Sequence, residues 1–192
     1  MSKKTKFIVI HGGYGSPNTD WFPKMSKILK NKGIEFKIPK LPGGLFGAFP
    51  NANKWEKVIE NEFKTNFNIV VISYSLGCIA VLRLLERQKT KIKFWILVAP
   101  PSASVKNAKR WQGRARTFFD HKIKYKKAVK NVDNILVIAS SNDTKAPYKG
   151  SINIAKKLSF KANLLVYKNG DHLSSPKIAD YIFKNVPKKF YT

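Results

Sequence analysis

The sequence predicts an α/β fold in which a doubly wound, mostly parallel sheet of about six strands is flanked by helices. Short apolar runs rich in Val and Ile recur along the 192 residues. Most of these runs are continuously apolar, which is typical of strands that are buried on both faces of a parallel sheet. Amphipathic segments of helical length separate most of the runs, so strand and helix alternate as in repeated βα units.

Each predicted element follows from its own stretch of sequence. The apolar runs predict strands over Phe7–Ile10, Glu35–Ile38, Ile69–Ile72, Phe94–Val98, Ile135–Ile138 and Leu164–Tyr167. The amphipathic segments predict helices over Trp21–Lys32, Lys54–Phe63, Leu76–Arg87, Ile152–Leu158 and Ile178–Val186. With 43% hydrophobic residues and no repeat or Pro-rich linker, the chain can bury one sizeable core, and we expect a single domain over residues 1–192.

The charge of the chain is extreme. Its 37 Lys and Arg residues against 11 Asp and Glu residues give a formal net charge of +26, which attracts polyanions non-specifically. Nucleic acid and anionic lipid are therefore rival partners. The excess is nearly all Lys, spread from Lys3 to Lys189, and such diffuse Lys is typical of a solvated surface. We favour the solvated surface and keep polyanion binding as the alternative.

Several features favour a cytoplasmic protein. Cys78 is the single cysteine, so the chain can form no internal disulfide. The apolar stretch Phe7–Ile10 behind the basic start is too short for the core of a signal peptide. The uncharged stretch from Thr65 to Leu82 is interrupted by polar side chains, so we expect a buried strand and a helix there and no membrane span.

The loops after the predicted strands hold the candidate site, because ligands of such sheets bind beyond the carboxyl ends of the strands. The segment Ser73-Tyr74-Ser75-Leu76-Gly77 joins a strand to a helix and matches the G-x-S-x-G turn that exposes a serine nucleophile, except at its first glycine. Ser73 replaces that glycine and is small enough to weaken the pattern only modestly. Ser75 is the candidate nucleophile, and the alternative for this segment alone is a serine that caps the helix.

A nucleophile on such a turn predicts an acid after a later strand and a histidine after the last strand. Asp143 follows the fifth predicted strand and His172 follows the sixth. His172 would take the proton of Ser75 as general base, and Asp143 would fix the imidazole tautomer and stabilise the imidazolium. Alone, Asp143 would be interpreted as an Asx-turn residue and His172 as a turn histidine, and the order of the three residues favours the triad.

Three other residues are weaker candidates. We expect His11, at the end of the first predicted strand, to hold the glycine-rich loop that follows it by hydrogen bonds. We expect His121 on a solvated, basic helix. Asp171 precedes His172 directly, and neighbours along a chain rarely face each other in the required geometry, so Asp143 is the preferred acid.

An oxyanion hole needs two N–H donors aimed at the developing negative charge. We assign one donor to Leu76 and the other to Gly13 in the loop His11-Gly12-Gly13-Tyr14-Gly15. This loop lacks the G-x-G-x-x-G spacing and the Lys-Ser/Thr pair of phosphate-binding loops. The sequence contains no Cys/His cluster, H-E-x-x-H motif or cofactor fingerprint, so we expect neither a metal nor a cofactor.

Over nearly its whole length the sequence resembles the small serine hydrolases related to retinoblastoma-binding protein nine, a compact branch of the α/β-hydrolases. The resemblance rests on His11-Gly12-Gly13-Tyr14-Gly15-Ser16-Pro17, Trp21-Phe22-Pro23, Leu41-Pro42, Trp55, Ser73-Tyr74-Ser75-Leu76-Gly77-Cys78, Ile96-Leu97-Val98-Ala99-Pro100, Ser140-Ser141-Asn142-Asp143, Pro147 and Gly170-Asp171-His172. It implies a short fold without a large lid, a triad of Ser75, Asp143 and His172, and hydrolysis of small esters or amides. Ser73 stands where the family usually has Gly, and Tyr74 stands where a His often precedes the nucleophile.

These observations favour a hydrolase of small carboxylic esters or amides that works through an acyl-enzyme on Ser75. Aromatic residues in predicted rim loops could line an acyl pocket or belong to ordinary packing; they are Tyr14, Phe46, Phe49 and Trp111. The basic stretch from Lys106 to Arg114 could favour an anionic substrate or be a solvated connection. The alternatives are a non-catalytic polyanion- or nucleic-acid-binding protein on the same scaffold, and an acyltransferase with the same triad. No feature of the sequence indicates an oligomeric state.

Overall fold

The computed structural model describes residues 4–43, 49–102, 115–158 and 162–191. These residues form a six-stranded sheet in which every pair of neighbouring strands is parallel, in the order β2-β1-β3-β4-β5-β6. The strands are β1 (Thr5–Ile10), β2 (Glu35–Lys37), β3 (Asn68–Tyr74), β4 (Ile92–Val98), β5 (Val132–Ser140) and β6 (Ala162–Tyr167). The predicted parallel sheet of about six strands is confirmed.

Helices cover both faces of this sheet. They are α1 (Phe22–Asn31), α2 (Ala52–Phe63), α3 (Leu76–Leu85), α4 (Tyr125–Ala128), α5 (Tyr148–Lys157) and α6 (Lys177–Lys184), with 3-10 turns at Arg116–Phe118 and Lys188–Phe190. Residues of α2, α3, α4 and α5 belong to the apolar core on one face, and residues of α1 and α6 belong to the core on the other. This arrangement is the predicted doubly wound architecture, to which the structure adds the short helix α4.

Local sequence explains where the helices lie. In α1 the apolar side chains of Phe22, Met25 and Leu29 recur at helical spacing and are buried against the sheet. At the start of α2, the side chain of Asn51 accepts a hydrogen bond from the Lys54 N–H at 3.1 Å, which satisfies one of the free donors of the first turn. All ten residues of α3 are buried, because this helix follows the central strand β3 and is enclosed by its neighbours.

The prediction for His121 holds only in part. Its side chain is exposed, at 42%, as expected, but the residue lies before α4 and not on a helix, and it joins a polar network around the buried side chain of Arg83. Arg83 contacts His121 Nδ1 at 2.6 Å and Glu56 Oε1 at 2.6 Å, and His121 Nε2 contacts Glu86 Oε2 at 2.8 Å. A buried guanidinium needs such partners, and this requirement cannot be seen in the local sequence around His121.

No helix within the described residues is long and apolar enough to cross a membrane.

Candidate active site

Ser75 lies on the turn between β3 and α3, at the carboxyl edge of the sheet. Its backbone has φ 50° and ψ −121°, a conformation that L-residues adopt rarely and at a cost in free energy. The turn brings α3 so close to β1 that a Cβ atom on Gly77 would lie 2.6 Å from the carbonyl oxygen of His11. A glycine two positions after the serine is therefore a steric requirement of this turn.

Ser73 fills the position at which the G-x-S-x-G pattern has its first glycine. Its side chain is fully buried, and its Oγ accepts a hydrogen bond from the indole N–H of Trp95 at 2.9 Å. Trp95 lies on the neighbouring strand β4 and is also fully buried. The departure from the pattern thus supplies the acceptor that a buried indole requires.

The structure brings together the three residues that the sequence singles out. Ser75 Oγ lies 2.9 Å from His172 Nε2, and His172 Nδ1 lies 2.8 Å from Asp143 Oδ2. The other carboxylate oxygen, Asp143 Oδ1, accepts hydrogen bonds from the backbone N–H groups of Lys145 at 2.8 Å and Ala146 at 2.7 Å. These bonds hold a buried carboxylate against the imidazole.

This arrangement determines what the imidazole can do. When the Asp143 carboxylate accepts from Nδ1–H of a neutral imidazole, His172 Nε2 can accept the hydroxyl proton of Ser75. The carboxylate would then face the imidazolium that forms. The constellation can therefore generate an alkoxide-like nucleophile at Ser75.

The loop that carries His172 is held in a strained shape. Asn169, Asp171 and Leu173 have positive φ angles of 52°, 47° and 55°. The side chain of Asn142 bonds to Asp171 twice, donating to its carboxylate at 2.8 Å and accepting from its backbone N–H at 2.9 Å. The acid loop and the histidine loop are therefore tied to each other next to the triad, and the Asp171 carboxylate is engaged by Asn142.

Tyr74 makes a further contact that sequence reasoning missed. Its hydroxyl donates a hydrogen bond to the backbone carbonyl of His172 at 2.8 Å, and the two rings lie 5.2 Å apart. Burial raises the pKa of the Tyr74 hydroxyl far above its usual value, so the group stays protonated and remains a donor. The residue before the nucleophile thus holds the backbone of the histidine loop.

Gly13 and Leu76, the predicted oxyanion-hole donors, line the same cleft as Ser75. They are in close contact, since a Cβ atom on Gly13 would lie 2.7 Å from the Leu76 side chain. Neither backbone N–H donates to another of the described residues, so both could serve an oxyanion.

His11 behaves as predicted and holds the glycine-rich loop. It is fully buried; its Nε2 accepts from the Leu41 N–H at 3.0 Å, and its Nδ1 lies 2.9 Å from the Gly12 carbonyl oxygen. Burial lowers the pKa of His11, partly offset by the bond to Gly12, which favours the neutral ring with its proton on Nδ1.

A cleft of about 570 Å³ opens above the triad. Of the aromatic residues considered for an acyl pocket, Tyr14, 37% exposed, lines the cleft, whereas Phe49 is 55% exposed and lies outside the lining. Phe46, Trp111 and the basic stretch from Lys106 to Arg114 lie outside the described residues.

Two charged side chains of the cleft were not predicted. Asp20 and Lys145 both line it beside His172. Burial raises the pKa of the Asp20 carboxyl, and the charges of His172 and Lys145 act in the opposite direction. Asp20 has a φ of 52° and lies two residues before the start of α1, and no motif distinguishes it from an ordinary turn residue.

We also considered whether the Cys78 thiol or a bound metal ion could contribute to the chemistry of the site. Cys78, on α3, is fully buried, and burial raises the pKa of its thiol to about 12, so it is a poor nucleophile at neutral pH. Within the part of the chain that the structure describes, no group of three or more His, Cys, Asp or Glu side chains could hold a metal ion.

Comparison with known proteins places the chain in a class. The sequence model of the serine hydrolase family matches residues 7–177, and the chain belongs to this family. YdeN from Bacillus subtilis (strain 168) is 27% identical over 167 residues, which are 85% of this chain and 83% of YdeN.

Solved structures show the same fold. The crystal structure of the B. subtilis ydeN gene product superposes with a TM-score of 0.77 at 24% identity, covering 94% of this chain and 98% of that one. Est1E from Butyrivibrio proteoclasticus gives a TM-score of 0.71 at 16% identity, and the superposition covers 96% of this chain and 89% of Est1E. The monoacylglycerol lipase of Paleococcus ferrophilus gives a TM-score of 0.72 at 14% identity, and the superposition covers 99% of this chain and 96% of the lipase. The fold is that of the α/β-hydrolases.

Proposed function

We propose that the protein is a cytoplasmic hydrolase of small carboxylic esters or amides, with Ser75 as nucleophile, His172 as general base and Asp143 as the orienting acid. The observation that carries the proposal is the continuous hydrogen-bonded chain from Ser75 Oγ through the imidazole to Asp143, with distances of 2.9 and 2.8 Å. Membership of the serine hydrolase family supports the same chemistry.

The proposed reaction has two half reactions. Ser75 Oγ forms a bond to the carbonyl carbon while its proton passes to His172 Nε2, and the carbonyl oxygen becomes an oxyanion facing the N–H groups of Gly13 and Leu76. The bond to the leaving alcohol or amine then breaks, and that group takes the proton from His172. Water repeats the sequence on the acyl-enzyme and releases the carboxylic acid, which restores Ser75.

The cleft favours small substrates. Its volume of about 570 Å³ falls in the range of small-molecule sites, and Tyr14 offers it apolar surface. Water must reach the acyl-enzyme for hydrolysis, and the partly exposed His172 side chain, at 14%, is within reach of solvent.

A panel of nitrophenyl esters and anilides with acyl chains of two to eight carbons tests the proposal. We expect turnover of the short esters by the wild type and loss of turnover in Ser75→Ala and in His172→Ala. Undiminished turnover in either variant contradicts the assignment. Competing alcohols in the same assay separate hydrolysis from acyl transfer, since a transferase would form new esters in preference to the free acid.

A further inference from the structure

Two clefts lie away from Ser75, toward the amino edge of the sheet. One has a volume of about 540 Å³ and is lined at the starts of β1 and β2 and just before β3. The other has a volume of about 550 Å³ and lies against β4, β5 and β6. We call them together the amino-edge clefts. None of the proposed catalytic residues lines them.

The amino-edge clefts adjoin each other. Lys189 and Phe190, in the 3-10 turn after α6, line both of them. The pair therefore extends across the sheet from β2 to β6, which is five inter-strand spacings or about 24 Å. A single small molecule would occupy one cleft, whereas an extended polymer could follow both.

The charge of the first cleft is positive. Among the described residues, its lining includes Lys4, Lys32 and Lys189 but only one carboxylate, that of Glu35. Among the described residues, none of these three lysines forms a salt bridge, although the chain pairs other lysines, such as Lys6 with Glu62. The three ammonium groups are thus available to an anionic ligand.

Aromatic rings hold two of these lysines in place. Lys32 Nζ lies 5.6 Å from the ring centres of both Phe183 and Tyr191, and Lys189 Nζ lies 5.3 Å from that of Phe190. Such contacts orient an ammonium group without neutralising its charge. The lysines are therefore partly ordered before a ligand arrives.

The remaining lining suits nucleobases. Phe67, 36% exposed, presents an aromatic surface in the first cleft. Asn134 and Asn163 bring amide groups to the second cleft. Ammonium groups that contact phosphates, aromatic rings that stack on bases and amides that bond to base edges are the combination with which proteins bind single-stranded nucleic acid.

We propose that the amino-edge clefts bind single-stranded nucleic acid, with Lys4, Lys32 and Lys189 contacting phosphates and Phe67 stacking on a base. The net charge of +26 would raise the rate of encounter, and the clefts would fix where the strand lies. Concave clefts disfavour a flat membrane surface, and the exposed ring distinguishes nucleic acid from a polyanion that lacks bases.

The test is the binding of fluorescein-labelled dT12 and rU12, followed by anisotropy at several salt concentrations. The variant K4Q/K32Q/K189Q is compared with K57Q/K126Q/K149Q, which removes three exposed lysines from α2, α4 and α5 on the opposite face of the sheet. We expect at least tenfold weaker binding for the cleft variant and less than threefold for the control. The slope of log K against log salt should become shallower by about 2 in the cleft variant.

A second variant separates nucleic acid from other polyanions. Phe67→Ala should weaken dT12 binding about fivefold or more and leave binding of inorganic polyphosphate unchanged. Equal weakening by the two triple variants, an unchanged affinity of Phe67→Ala for dT12, or tighter binding to anionic phosphatidylserine vesicles than to dT12 would overturn the proposal. Ester turnover should persist in the cleft variants and dT12 binding in Ser75→Ala, so this proposal and the proposed hydrolase function can fail separately.

Discussion

The indole N–H of Trp95 donates a hydrogen bond to the hydroxyl of Ser73 two residues before the proposed nucleophile, and both side chains are fully buried. Ser73→Gly would restore the usual G-x-S-x-G pattern, yet it would leave a buried donor without its acceptor. We expect a loss of about 1 to 3 kcal/mol in the free energy of unfolding. Urea denaturation checks this, with Ser73→Thr as a control that keeps the hydroxyl; a glycine variant as stable as the wild type would contradict it.

The steric requirement at Gly77 gives a second prediction. Gly77→Ala would force a Cβ atom against the His11 carbonyl oxygen. We therefore expect the free energy of unfolding to fall by about 3 kcal/mol and ester turnover to be impaired. Gly33→Ala is the matched control, because Gly33 has a positive φ of 65° but open space around its Cα. In the control, the free energy of unfolding should fall by only about 1 kcal/mol, because alanine is less favourable than glycine in the left-handed conformation, and activity should be kept. Similar losses in both variants would argue against close packing of α3 on β1.

Tyr74 gives a prediction about positioning. Tyr74→Phe keeps the ring but removes the hydrogen bond to the His172 carbonyl, so the histidine loop should become less well held. We expect kcat for a short ester to fall several-fold with little change in KM, and stability to fall by about 1 kcal/mol. Steady-state kinetics and urea denaturation together test this. An unchanged kcat would show that the loop does not depend on this bond.

Stability should depend on pH through His11. Burial lowers the pKa of His11 in the folded state below its ordinary value of 6.5, so the unfolded chain binds a proton more readily. The contribution of the neutral, buried ring is present above about pH 6.5 and is lost as pH falls toward the folded-state pKa, by at most about 1.4 kcal/mol per pH unit.

Urea denaturation between pH 5 and 7.5 measures this dependence. His11→Gln should be less stable at pH 7.5, because it disturbs the bonds to Leu41 and Gly12, yet its stability should change less between pH 6.5 and 5. Parallel curves for the wild type and the variant would exclude His11 as the group that titrates.

The fold could be predicted because most strands are continuous apolar runs, and each of the six runs lies within or overlaps a strand. The candidate triad could be predicted because Ser75, Asp143 and His172 end or follow strands whose carboxyl ends share one edge of a parallel sheet. Contacts that depend on strand register could not be predicted from the sequence. Ser73 and Trp95 are 22 residues apart, and only the pairing of β3 with β4 brings them together.

The positions of the charged and polar residues Asp20 and His121 could not be predicted from a local sequence pattern. Asp20 occupies a turn, where carboxylates are common, and only the tertiary fold places that turn in the same cleft as His172. The basic neighbours of His121 predict its exposure correctly, but they do not reveal its contact with the buried Arg83. Long-range partners of this kind leave no local pattern.

Labelling with a fluorophosphonate probe tests the central claim most directly. The wild type should gain one covalent adduct, mapped by mass spectrometry to Ser75, and Ser75→Ala should gain none. Ser174→Ala is the matched control, because Ser174 lines the same cleft, and it should label as the wild type does. An adduct formed equally well in Ser75→Ala, or a wild type that never labels although it is folded, would contradict the account.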